Sequence, residues 1–521
     1  MIIQAKQQIK LQIKKSNRLL NQMEAYNSKA LELIAGKPHS QRAFAEMPAA
    51  KPYQDQHPNF QVLQLFTPCL AEMAYVISSG EEAAIIDPLR EIGDYLDILR
   101  EKNLKLKYIF QTHFHADFVS GHYDLSQKTG AKIVYGPNAA AAYEIKVAQD
   151  GELFKIGNIN IKVLHTPGHT MESSCYLLLD GDRQHCLFTG DTLFLGEVGR
   201  PDLACKAGSI TVEDLAGFLY DSLRQKIMKL DPAILIYPGH GAGSPCGKKI
   251  SAGTFCTLGK QLLNNYALQD MTKDAFIKEL TTGIPPPPQY FFHDVTQNKS
   301  KIEPVDEVLK NGLHFDQNPN FQEMIRQGVI ILDTRVPLEF DKGFVPGSVN
   351  LSLTMNYAIW AGTLFPPGSK FFIISEAGKE KESVLRLARI GYDHCVGVLD
   401  GGMDTYKAQG KPIDTIQAVA AAELKSDHPI FDVRNPGEVA SGHVEGATNI
   451  PLADLYKMYL DWKLAEAFPA KDKPFYVHCK TGGRSTIACS ILKKAGYTGV
   501  INVLGGYDAM ITDNKRIKFV Q

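Results

Sequence analysis

The stretch Thr-His-Phe-His-Ala-Asp at positions 112–117 follows an apolar segment, 107–111, that is typical of a β-strand. Three further strand-like segments end in a similar way, each with a histidine or an aspartate in the turn that follows. These residues are His169 in Pro-Gly-His, Asp191 in Gly-Asp, and His240 in Pro-Gly-His-Gly. Ligands bind at such strand ends in open sheets with helical crossovers, so we expect these side chains along one edge of a sheet.

Imidazole and carboxylate groups in such loops are ligands for first-row transition metals. A single histidine at a strand end is more often a hydrogen-bonded structural residue, but four such ends make coincidence a poor explanation. Two neutral imidazoles and one carboxylate suit a metal of this kind and leave positions for water, substrate or O2. The same side chains bind iron and zinc, so the ligands leave the metal open.

The first of these motifs resembles His-x-His-x-Asp-His, the signature of the metallo-β-lactamase superfamily. His113, His115 and Asp117 match it, but Phe118 replaces the last histidine. In the two-zinc hydrolases of that superfamily, such as glyoxalase II, this Asp-His pair helps to hold the second metal, and phenylalanine cannot do so. The sequence is therefore more similar to the sulfur (persulfide) dioxygenase branch, which has a single iron.

This resemblance implies a mononuclear Fe(II) site, with Zn²⁺ as the alternative metal. The ligands that it implies are His113, His169 and Asp191. The neighbouring groups, which would orient the ligands or hydrogen-bond to bound water and substrate, are His115, Asp117 and His240.

A segment Gly-Arg-x-Asp, which follows the aspartate ligand in the dioxygenase branch, is matched at 199–202. Arg200 in this segment has two interpretations of similar weight. Its guanidinium would contact a carboxylate or phosphate of the thiol carrier, or it would form a structural salt bridge with a nearby acid.

The second half of the chain contains a repeat of about a hundred residues. Asp-x-Arg at 333–335 recurs at 432–434, and Gly-x-Val-x-Gly at 343–347 recurs at 442–446. This repeat is too long for a solenoid unit and suits a small α/β domain. The pattern resembles the rhodanese family.

Only the second copy has a nucleophile in the loop that joins its strand-like segment 474–478 to the following helix-like segment. A strand-like segment, 474–478, delivers Cys479, and a helix-like segment follows the loop. Backbone N–H groups of this loop and the helix N-terminus favour a thiolate, the nucleophilic form of cysteine. The other members of this candidate anion-binding loop are Lys480, Thr481, Gly482, Gly483, Arg484 and Ser485.

Spacing favours sulfur transfer over phosphate chemistry. Cys479 and Arg484 enclose four residues, as in rhodanese sulfurtransferases, whereas the related phosphatases enclose five. In the first copy the corresponding loop, 375–380, has no cysteine and carries two glutamates, so this copy resembles an inactive rhodanese. Cys489 is expected to be a buried core thiol.

The predicted fold class is a multidomain α/β protein: an αββα sandwich of the metallo-β-lactamase type followed by two rhodanese-like α/β domains. The predicted segments are a helical extension over 1–55, a metal domain with a helical tail over 56–300, a cysteine-less rhodanese domain over 313–413 and an active one over 417–521. The polyproline run 285–288 is interpreted as a rigid spacer.

The resemblances together imply a persulfide dioxygenase and thiosulfate sulfurtransferase that acts in sulfide detoxification or sulfur assimilation. The expected substrates are a low-molecular-weight thiol persulfide, O2, and thiosulfate or sulfite. The main alternative is a glyoxalase II-like zinc thioester hydrolase fused to a sulfurtransferase. Another is a non-enzymatic persulfide carrier with a structural metal. The sequence leaves the direction of sulfur flow through Cys479 open.

The composition of the chain restricts the classes of binding partner and the compartment that we expect for it. With 56 basic and 57 acidic residues the formal net charge is -1, which nominates neither nucleic acid nor a membrane surface. The nine scattered cysteines include no Cys-x-x-Cys pair, as expected for free thiols in a reducing, cytoplasmic compartment. We also expect a homo-oligomer, because the helical tail and the cysteine-less copy offer surfaces for assembly.

Overall fold

The computed structural model describes residues 53–203, 209–284, 286–425, 427–514 and 516–520. The described chain forms two compact units. The first reaches Pro304 and includes Arg389–Gly391, and the second holds Val305–Ala388 and the chain from Tyr392 onward. Most of the predicted N-terminal helical extension lies outside the described residues. Its last residues, 53–55, are wrong as helix, because Tyr53–Gln56 pairs as an antiparallel strand with Gln61–Gln64.

Two mixed sheets form the centre of the first unit. The first sheet has the spatial order β1 to β7. Its strands are β1 (Tyr53–Gln56), β2 (Gln61–Thr67), β3 (Glu72–Ser79), β4 (Glu82–Ile86), β5 (Lys105–Phe110), β6 (Lys132–Tyr135) and β7 (Lys146–Val147). The second sheet has the order β13-β12-β11-β10-β9-β8. Its strands are β8 (Leu153–Ile156), β9 (Ile159–His165), β10 (Ser174–Asp180), β11 (Arg183–Gly190), β12 (Leu235–Pro238) and β13 (Cys256–Thr257).

Helices of the first unit lie between and after these strands. They are α1 (Gly93–Glu101), α2 (His122–Thr129), α3 (Val212–Gln225), α4 (Leu258–Asn264), α5 (Lys273–Thr281) and α6 (Tyr290–Asn298). Short 3₁₀ turns occupy Ile227–Lys229 and Tyr266–Leu268. The predicted helical tail is thus present as α4 to α6.

Alternate residues along the strands point into the space between the two sheets and form the core of the sandwich. Tyr75 of the first sheet packs on Phe188 of the second with ring centroids 4.9 Å apart, and Phe110 packs on Tyr176 at 4.8 Å. All four side chains are buried. The other face of the second sheet packs against α3 and α5, where Leu219 and Phe276 are buried. On the first sheet α2 contacts β5 and β6. The layers are therefore helix, sheet, sheet and helix.

The two repeats in the second unit have the same parallel sheet. The first copy has the strand order β14-β18-β17-β15-β16 and the second has β19-β24-β23-β20-β22, which match position by position. The first copy comprises β14 (Phe315–Asp316), β15 (Ile330–Asp333), β16 (Val349–Asn350), β17 (Phe371–Ile374) and β18 (Cys395–Leu399). The second comprises β19 (Gln417–Ala420), β20 (Ile430–Asp432), β22 (Thr448–Asn449), β23 (Phe475–His478) and β24 (Val500–Leu504), with a separate antiparallel pair, β21 (His443–Val444) and β25 (Phe519–Val520).

Helices flank both of these sheets. In and before the first copy they are α7 (Val305–Gly312), α8 (Phe321–Arg326), α9 (Pro337–Asp341), α10 (Tyr357–Leu364), α11 (Glu380–Ala388) and α12 (Gly402–Ala408). In the second they are α13 (Pro436–Ala440), α14 (Leu452–Leu460), α15 (Leu464–Ala467), α16 (Gly483–Lys494) and α17 (Gly506–Asp513), with a 3₁₀ turn at Ala421–Glu423.

In the described part of the chain no helix is both long enough and apolar enough to cross a bilayer. The eight cysteines that the structure describes are free thiols.

The two copies share a buried polar contact. Asn502 on β24 of the second copy donates its amide to Asp341 Oδ2 at the end of α9 in the first copy, at 3.0 Å. Burial raises the pKa of Asp341 to about 6, although the bond from Asn502 opposes the shift. The other carboxylate oxygen, Oδ1, is buried without a hydrogen bond.

This raised pKa predicts how stability depends on pH. The native state holds the Asp341 proton more tightly than the unfolded chain does, so the second unit should lose stability as pH rises from about 4 to about 6. Asp341→Asn should remove that slope and stabilise the second unit at pH 7.5 by up to about 3 kcal/mol. Denaturant unfolding from pH 4 to 7.5 measures both effects. Asp404→Asn, at an exposed aspartate of the same copy, is the control, and parallel pH profiles for all three proteins would contradict the assignment.

Candidate functional site

The predicted ligand residues meet at one end of the sandwich in the first unit. His113 follows β5 of the first sheet, whereas His169, Asp191 and His240 follow β9, β11 and β12 of the second. The expectation of a single sheet edge is therefore wrong, because the site is built from the ends of strands in two facing sheets.

His113, His169 and Asp191 form a compact, buried group. Asp191 Oδ2 lies 3.6 Å from His169 Nε2 and 3.9 Å from His113 Nε2. One ligand atom from each residue lies within 4.8 Å of the others. Ligands about 2.1 Å from a common ion are roughly 3 to 3.5 Å apart, so the group needs only a small contraction to hold one. His113 Nε2 and Asp191 Oδ2 are buried without hydrogen-bond partners, which a bound cation would supply.

Hydrogen bonds fix the tautomer of both imidazoles. His113 Nδ1 donates to Thr112 Oγ1 at 2.9 Å, and the Thr112 hydroxyl donates to Asp87 Oδ2 at 2.7 Å. His169 Nδ1 donates to the carbonyl of Arg200 at 2.8 Å. Each bond leaves an Nε2 lone pair directed towards the group. Burial, together with neighbouring His115, also holds the pKa of His113 well below its usual value, so this ligand is neutral.

His240 links the remaining predicted residues. Its Nδ1 lies 2.8 Å from Asp191 Oδ1 and its Nε2 lies 2.7 Å from Asp117 Oδ2. Burial lowers the pKa of His240, but the two carboxylates outweigh burial and raise it well above the usual value. Burial likewise opposes ionisation of Asp191, yet His240 and the ligand histidines hold its pKa below the usual range. His240 thus donates through Nδ1 to Asp191 and faces Asp117 with Nε2.

His115 lies outside this series of contacts and pairs with a different carboxylate. Its Nε2 lies 3.1 Å from Asp87 Oδ1, and its ring packs on Phe118 with centroids 4.3 Å apart. Phe118 is fully buried. It fills with hydrocarbon the position where the superfamily motif has its last histidine.

The Gly-Arg-x-Asp segment serves the site through its backbone. A Cβ on Gly199 would lie 2.0 Å from the carbonyl oxygen of Asp191, so only glycine fits there. Arg200 is buried, and its guanidinium forms two bonds of 2.7 Å with Asp202. This ion pair matches the structural salt bridge, the second of the two interpretations given for Arg200. Its carbonyl, which orients His169, is the contribution that the sequence did not predict.

Other supporting residues were also not predicted. Asp87 accepts bonds from the Thr112 amide and hydroxyl, and its only sequence signal is its place at the end of a strand. Cys246 lies with Asp117 and His240 in a second buried group whose potential ligand atoms are within 4.8 Å of one another. Burial, reinforced by Asp117 and Asp191, raises the pKa of Cys246 well above its usual value, so it is a neutral thiol.

Asn298, at the end of α6, hydrogen-bonds to the loop that carries His113, which we call the ligand loop. Its amide donates to the carbonyls of His115 and Phe118, both at 2.8 Å, and its Oδ1 accepts from the Ser120 amide at 2.8 Å. Three bonds from one buried side chain thus fix the loop that carries His113.

In the second unit the Cys479 loop joins β23 to α16, as the sequence predicts. Cys479 is buried, and the Gly482 amide donates to its Sγ at 3.2 Å. Gly482 has φ 105°, a left-handed conformation that turns its N–H inwards and favours glycine. Ser485 is buried and donates to Asn502 Oδ1 at 2.7 Å, whereas Lys480 and Thr481 are exposed. Gly483 is partly buried at the start of α16.

The remaining predicted member of this loop, Arg484, makes an ion pair. Its guanidinium donates to both carboxylate oxygens of Glu438, at 2.6 and 2.7 Å. The bond from Arg484 outweighs burial and lowers the pKa of Glu438, so the pair is fully charged. Part of the positive charge expected at the loop is therefore neutralised.

Other thiols of the second unit are core residues. Burial raises the pKa of Cys395 to about 12 and that of Cys489 well above its usual value. The first copy has Ser375 at the position of Cys479, at the end of β17, and the following Glu376 and Ala377 are exposed.

Comparison with known families agrees with this architecture. The model of the metallo-beta-lactamase superfamily matches residues 67–240, and the model of the rhodanese-like domain matches 318–409 and 417–513. The predicted fold class is confirmed. A metallo-beta-lactamase from Staphylococcus aureus has a similar structure, with a TM-score of 0.59 and 28% identity over 66% of this chain and 99% of that one.

Curated relatives carry two different activities in their names. A probable hydroxyacylglutathione hydrolase of Schizosaccharomyces pombe is 34% identical over 32% of this chain, which spans 62% of the length of that relative. The mitochondrial persulfide dioxygenase ETHE1 of Homo sapiens is 30% identical over 34% of this chain and 66% of its own. Sequence similarity alone thus does not separate hydrolysis from oxidation.

The position of Asn298 yields a test of the ligand loop. Asn298→Ala removes three hydrogen bonds from the loop and should weaken metal binding by about 10- to 100-fold, the usual effect of losing an outer partner of a ligand. Metal retained after dialysis against graded chelator concentrations measures this. Thr296→Ala, at an exposed position of the same helix, should bind metal like the wild type. Equal retention in Asn298→Ala would mean that the loop holds its shape without that side chain.

Proposed function

The chain belongs to the metallo-beta-lactamase superfamily in its first unit and carries two rhodanese-like domains in its second, and we propose that it oxidises a low-molecular-weight thiol persulfide with O2 and exchanges sulfane sulfur at Cys479. The observation that carries the oxidation proposal is the asymmetry of the metal region. Two imidazoles and one carboxylate form a group for one ion, near the hydrocarbon side chain of Phe118 and beside His240, which bonds to Asp191. The two-histidine, one-carboxylate set is that of non-heme Fe(II) oxygenases.

The overall oxidation is balanced with water as the third reactant. One persulfide RSSH, one O2 and one water give RSH, sulfite and two protons. The sulfane sulfur loses four electrons, and O2 accepts four. Fe(II), when bound, supplies the redox chemistry that brings the sulfur and O2 together.

The protein's own residues would set the geometry of this reaction. Thr112 and the Arg200 carbonyl hold the two imidazoles in the tautomer that binds metal. His240 donates to Asp191 Oδ1, so the carboxylate is left to bind through Oδ2 alone. With three protein ligands, positions around the ion stay open for substrate and O2.

The second half-reaction takes place at the Cys479 loop. A Cys479 thiolate attacks the sulfane sulfur of thiosulfate, the S–S bond breaks with release of sulfite, and Cys479 becomes a persulfide. The Gly482 amide, which donates to Sγ, stabilises the attacking thiolate. The reverse step combines sulfite with the Cys479 persulfide. Sulfite is thus the species that both sites share.

A second candidate function for the first unit is zinc-dependent thioester hydrolysis. The observation in its favour is the group of Asp117, His240 and Cys246, which would hold a second metal if His240 lost its proton. Zn²⁺ binds carboxylate, imidazole and thiolate ligands. The similarity to a probable hydroxyacylglutathione hydrolase points the same way.

Oxygen uptake separates the two functions. Iron-reconstituted protein should consume O2 with glutathione persulfide, release sulfite or thiosulfate, and contain one metal ion at the candidate centre. His113→Ala should reduce O2 uptake by several orders of magnitude because it removes a ligand. Cys479→Ser should retain O2 uptake and lose thiosulfate sulfurtransfer. Product analysis with and without Cys479 gives the direction of sulfur flow.

The hydrolase alternative gives the opposite result in the same assays. Two zinc ions per chain at the candidate centre, no O2 uptake with glutathione persulfide, and cleavage of a glutathione thioester would reject the dioxygenase proposal. If Cys479→Ser abolishes all turnover while His113→Ala preserves it, the metal is structural and the protein is a sulfur carrier.

The Glu438–Arg484 ion pair predicts a gain in anion binding. Glu438→Gln removes the charge that neutralises Arg484 and should lower the KM for thiosulfate by about fivefold, as expected for a partly exposed pair. Initial rates of thiosulfate:cyanide sulfurtransfer measure it. Glu445→Gln, at an exposed glutamate of the same domain, should change little. A higher KM would instead mean that Glu438 positions Arg484 for the substrate.

A further inference from the structure

A second group of metal-ligand side chains lies in the first unit, on elements other than those that carry His113, His169 and Asp191. Asp55 is on β1, His57 is in the turn that follows, and His185 is on β11. We call these three residues the β1–β11 cluster. Asp55 Oδ2 lies 2.8 Å from His185 Nε2, and Asp55 Oδ1 lies 3.6 Å from His57 Nε2. One ligand atom from each residue lies within 4.8 Å of the others.

Packing sets the directions of both imidazole rings. Phe60 stacks on His57 with centroids 4.7 Å apart and an interplanar angle of 5°, and it meets His185 edge-on at 4.8 Å. The turn is closed by a 2.9 Å bond from the His57 amide to the Phe60 carbonyl. Ser79 also donates to the Asn59 carbonyl at 2.7 Å. The three side chains thus converge without any bound ligand.

The side-chain hydrogen bonds within the cluster reach only one oxygen of the Asp55 carboxylate. His185 and Tyr237 both donate to Asp55 Oδ2, at 2.8 and 3.3 Å, so Oδ1 is left facing His57. The 3.6 Å separation between Oδ1 and His57 Nε2 is beyond hydrogen-bonding distance. His57 Nε2 therefore faces Oδ1 without a hydrogen bond to it.

Burial also suits a small cation that enters from solvent. The Asp55 side chain is 8% exposed, that of His185 is 10% exposed and that of His57 is 28% exposed. The carboxylate is therefore shielded from water, while the His57 side remains open to solvent. This gradient gives an ion a path to the carboxylate and leaves a place for a water ligand.

We propose that the β1–β11 cluster binds a divalent ion of the Zn²⁺ type through Asp55, His57 and His185, with water as the fourth ligand. Two imidazole nitrogens, one carboxylate oxygen and a water form a common tetrahedral zinc set. Binding replaces the proton between His185 and Asp55, which is released to solvent. The 3.6 Å between His57 Nε2 and Asp55 Oδ1 is already close to the roughly 3 to 3.5 Å that separates two ligands of one ion, and the 2.8 Å His185–Asp55 pair opens slightly when the ion replaces its proton.

The bound ion would join the two sheets. Asp55 and His57 come from the edge strand of the first sheet and its turn, whereas His185 comes from the second sheet. The short β1 otherwise pairs only with β2 in the first sheet. A metal at this place therefore fastens the first described strand to the opposite layer of the sandwich.

Zinc titration of the full-length protein tests the site. Protein freed of metal with a chelator is titrated with Zn²⁺ by calorimetry, and zinc per chain is measured after gel filtration. The wild type should bind one more zinc than His57→Ala or His185→Ala, or bind it at least about tenfold more tightly. Asp55→Asn, which keeps the shape of the side chain, should show the same loss. His428→Ala, at a half-buried histidine of the second unit, should match the wild type.

Occupancy of the His113, His169 and Asp191 group serves as the folding check, because it should be equal in all five proteins. Zinc should also raise the melting temperature of the wild type more than that of the Asp55→Asn protein. Equal zinc stoichiometry, affinity and thermal shift in the wild type and the three cluster variants would overturn the proposal. The cluster would then be a hydrogen-bonded structural contact alone. The outcome is independent of whether the main centre holds iron or zinc.

Discussion

The carboxylate of Asp191 is buried with one oxygen bonded to His240 and the other without a hydrogen-bond donor. A charged oxygen in that position costs free energy unless a cation or a donor meets it. The surrounding residues are arranged around this requirement. Gly199 allows the backbone to approach Asp191, and the adjacent carbonyl of Arg200 turns His169 towards the same point. The first unit is therefore built to hold a cation between its two sheets.

The neighbouring region meets the same electrostatic problem in a different way. His240 lies between Asp117 and Asp191, and the two carboxylates raise its pKa, so a proton on His240 offsets part of their charge. Phe118, which packs on His115, offers no ligand atom where the superfamily motif has its last histidine. Asp117, His240 and Cys246 offer potential ligand atoms within 4.8 Å of one another in this region.

The local sequence pattern predicted those candidate site residues that come just after the end of a strand. His113, His169, Asp191 and Cys479 each follow a strand, and both the order of apolar segments and the turn residues mark those places. The residues that support them could not be found in this way. Asn298 bonds to the ligand loop across more than 170 positions of sequence, and nothing in the pattern of α6 distinguishes it from other polar helix residues. The sequence left two interpretations of Arg200 open, because a guanidinium motif does not reveal which acid lies nearby in space.

The two rhodanese-like copies show which part of a motif reports fold and which reports chemistry. In both, the arginine of Asp-x-Arg forms a bidentate ion pair with its aspartate and donates to a glycine carbonyl, at Gly343 in one copy and Gly442 in the other. The pair is present where the nucleophile is absent, so its role is to fix the strand end and the following turn. Removing one partner would leave a buried charge, which explains why it persists without catalysis. Chemistry requires the additional feature that only the second copy has, a thiol at the strand end with a left-handed glycine directing an amide towards it. The first copy packs against the second through residues outside its own loop, among them Asp341 with Asn502 and Asn350 with Ser490.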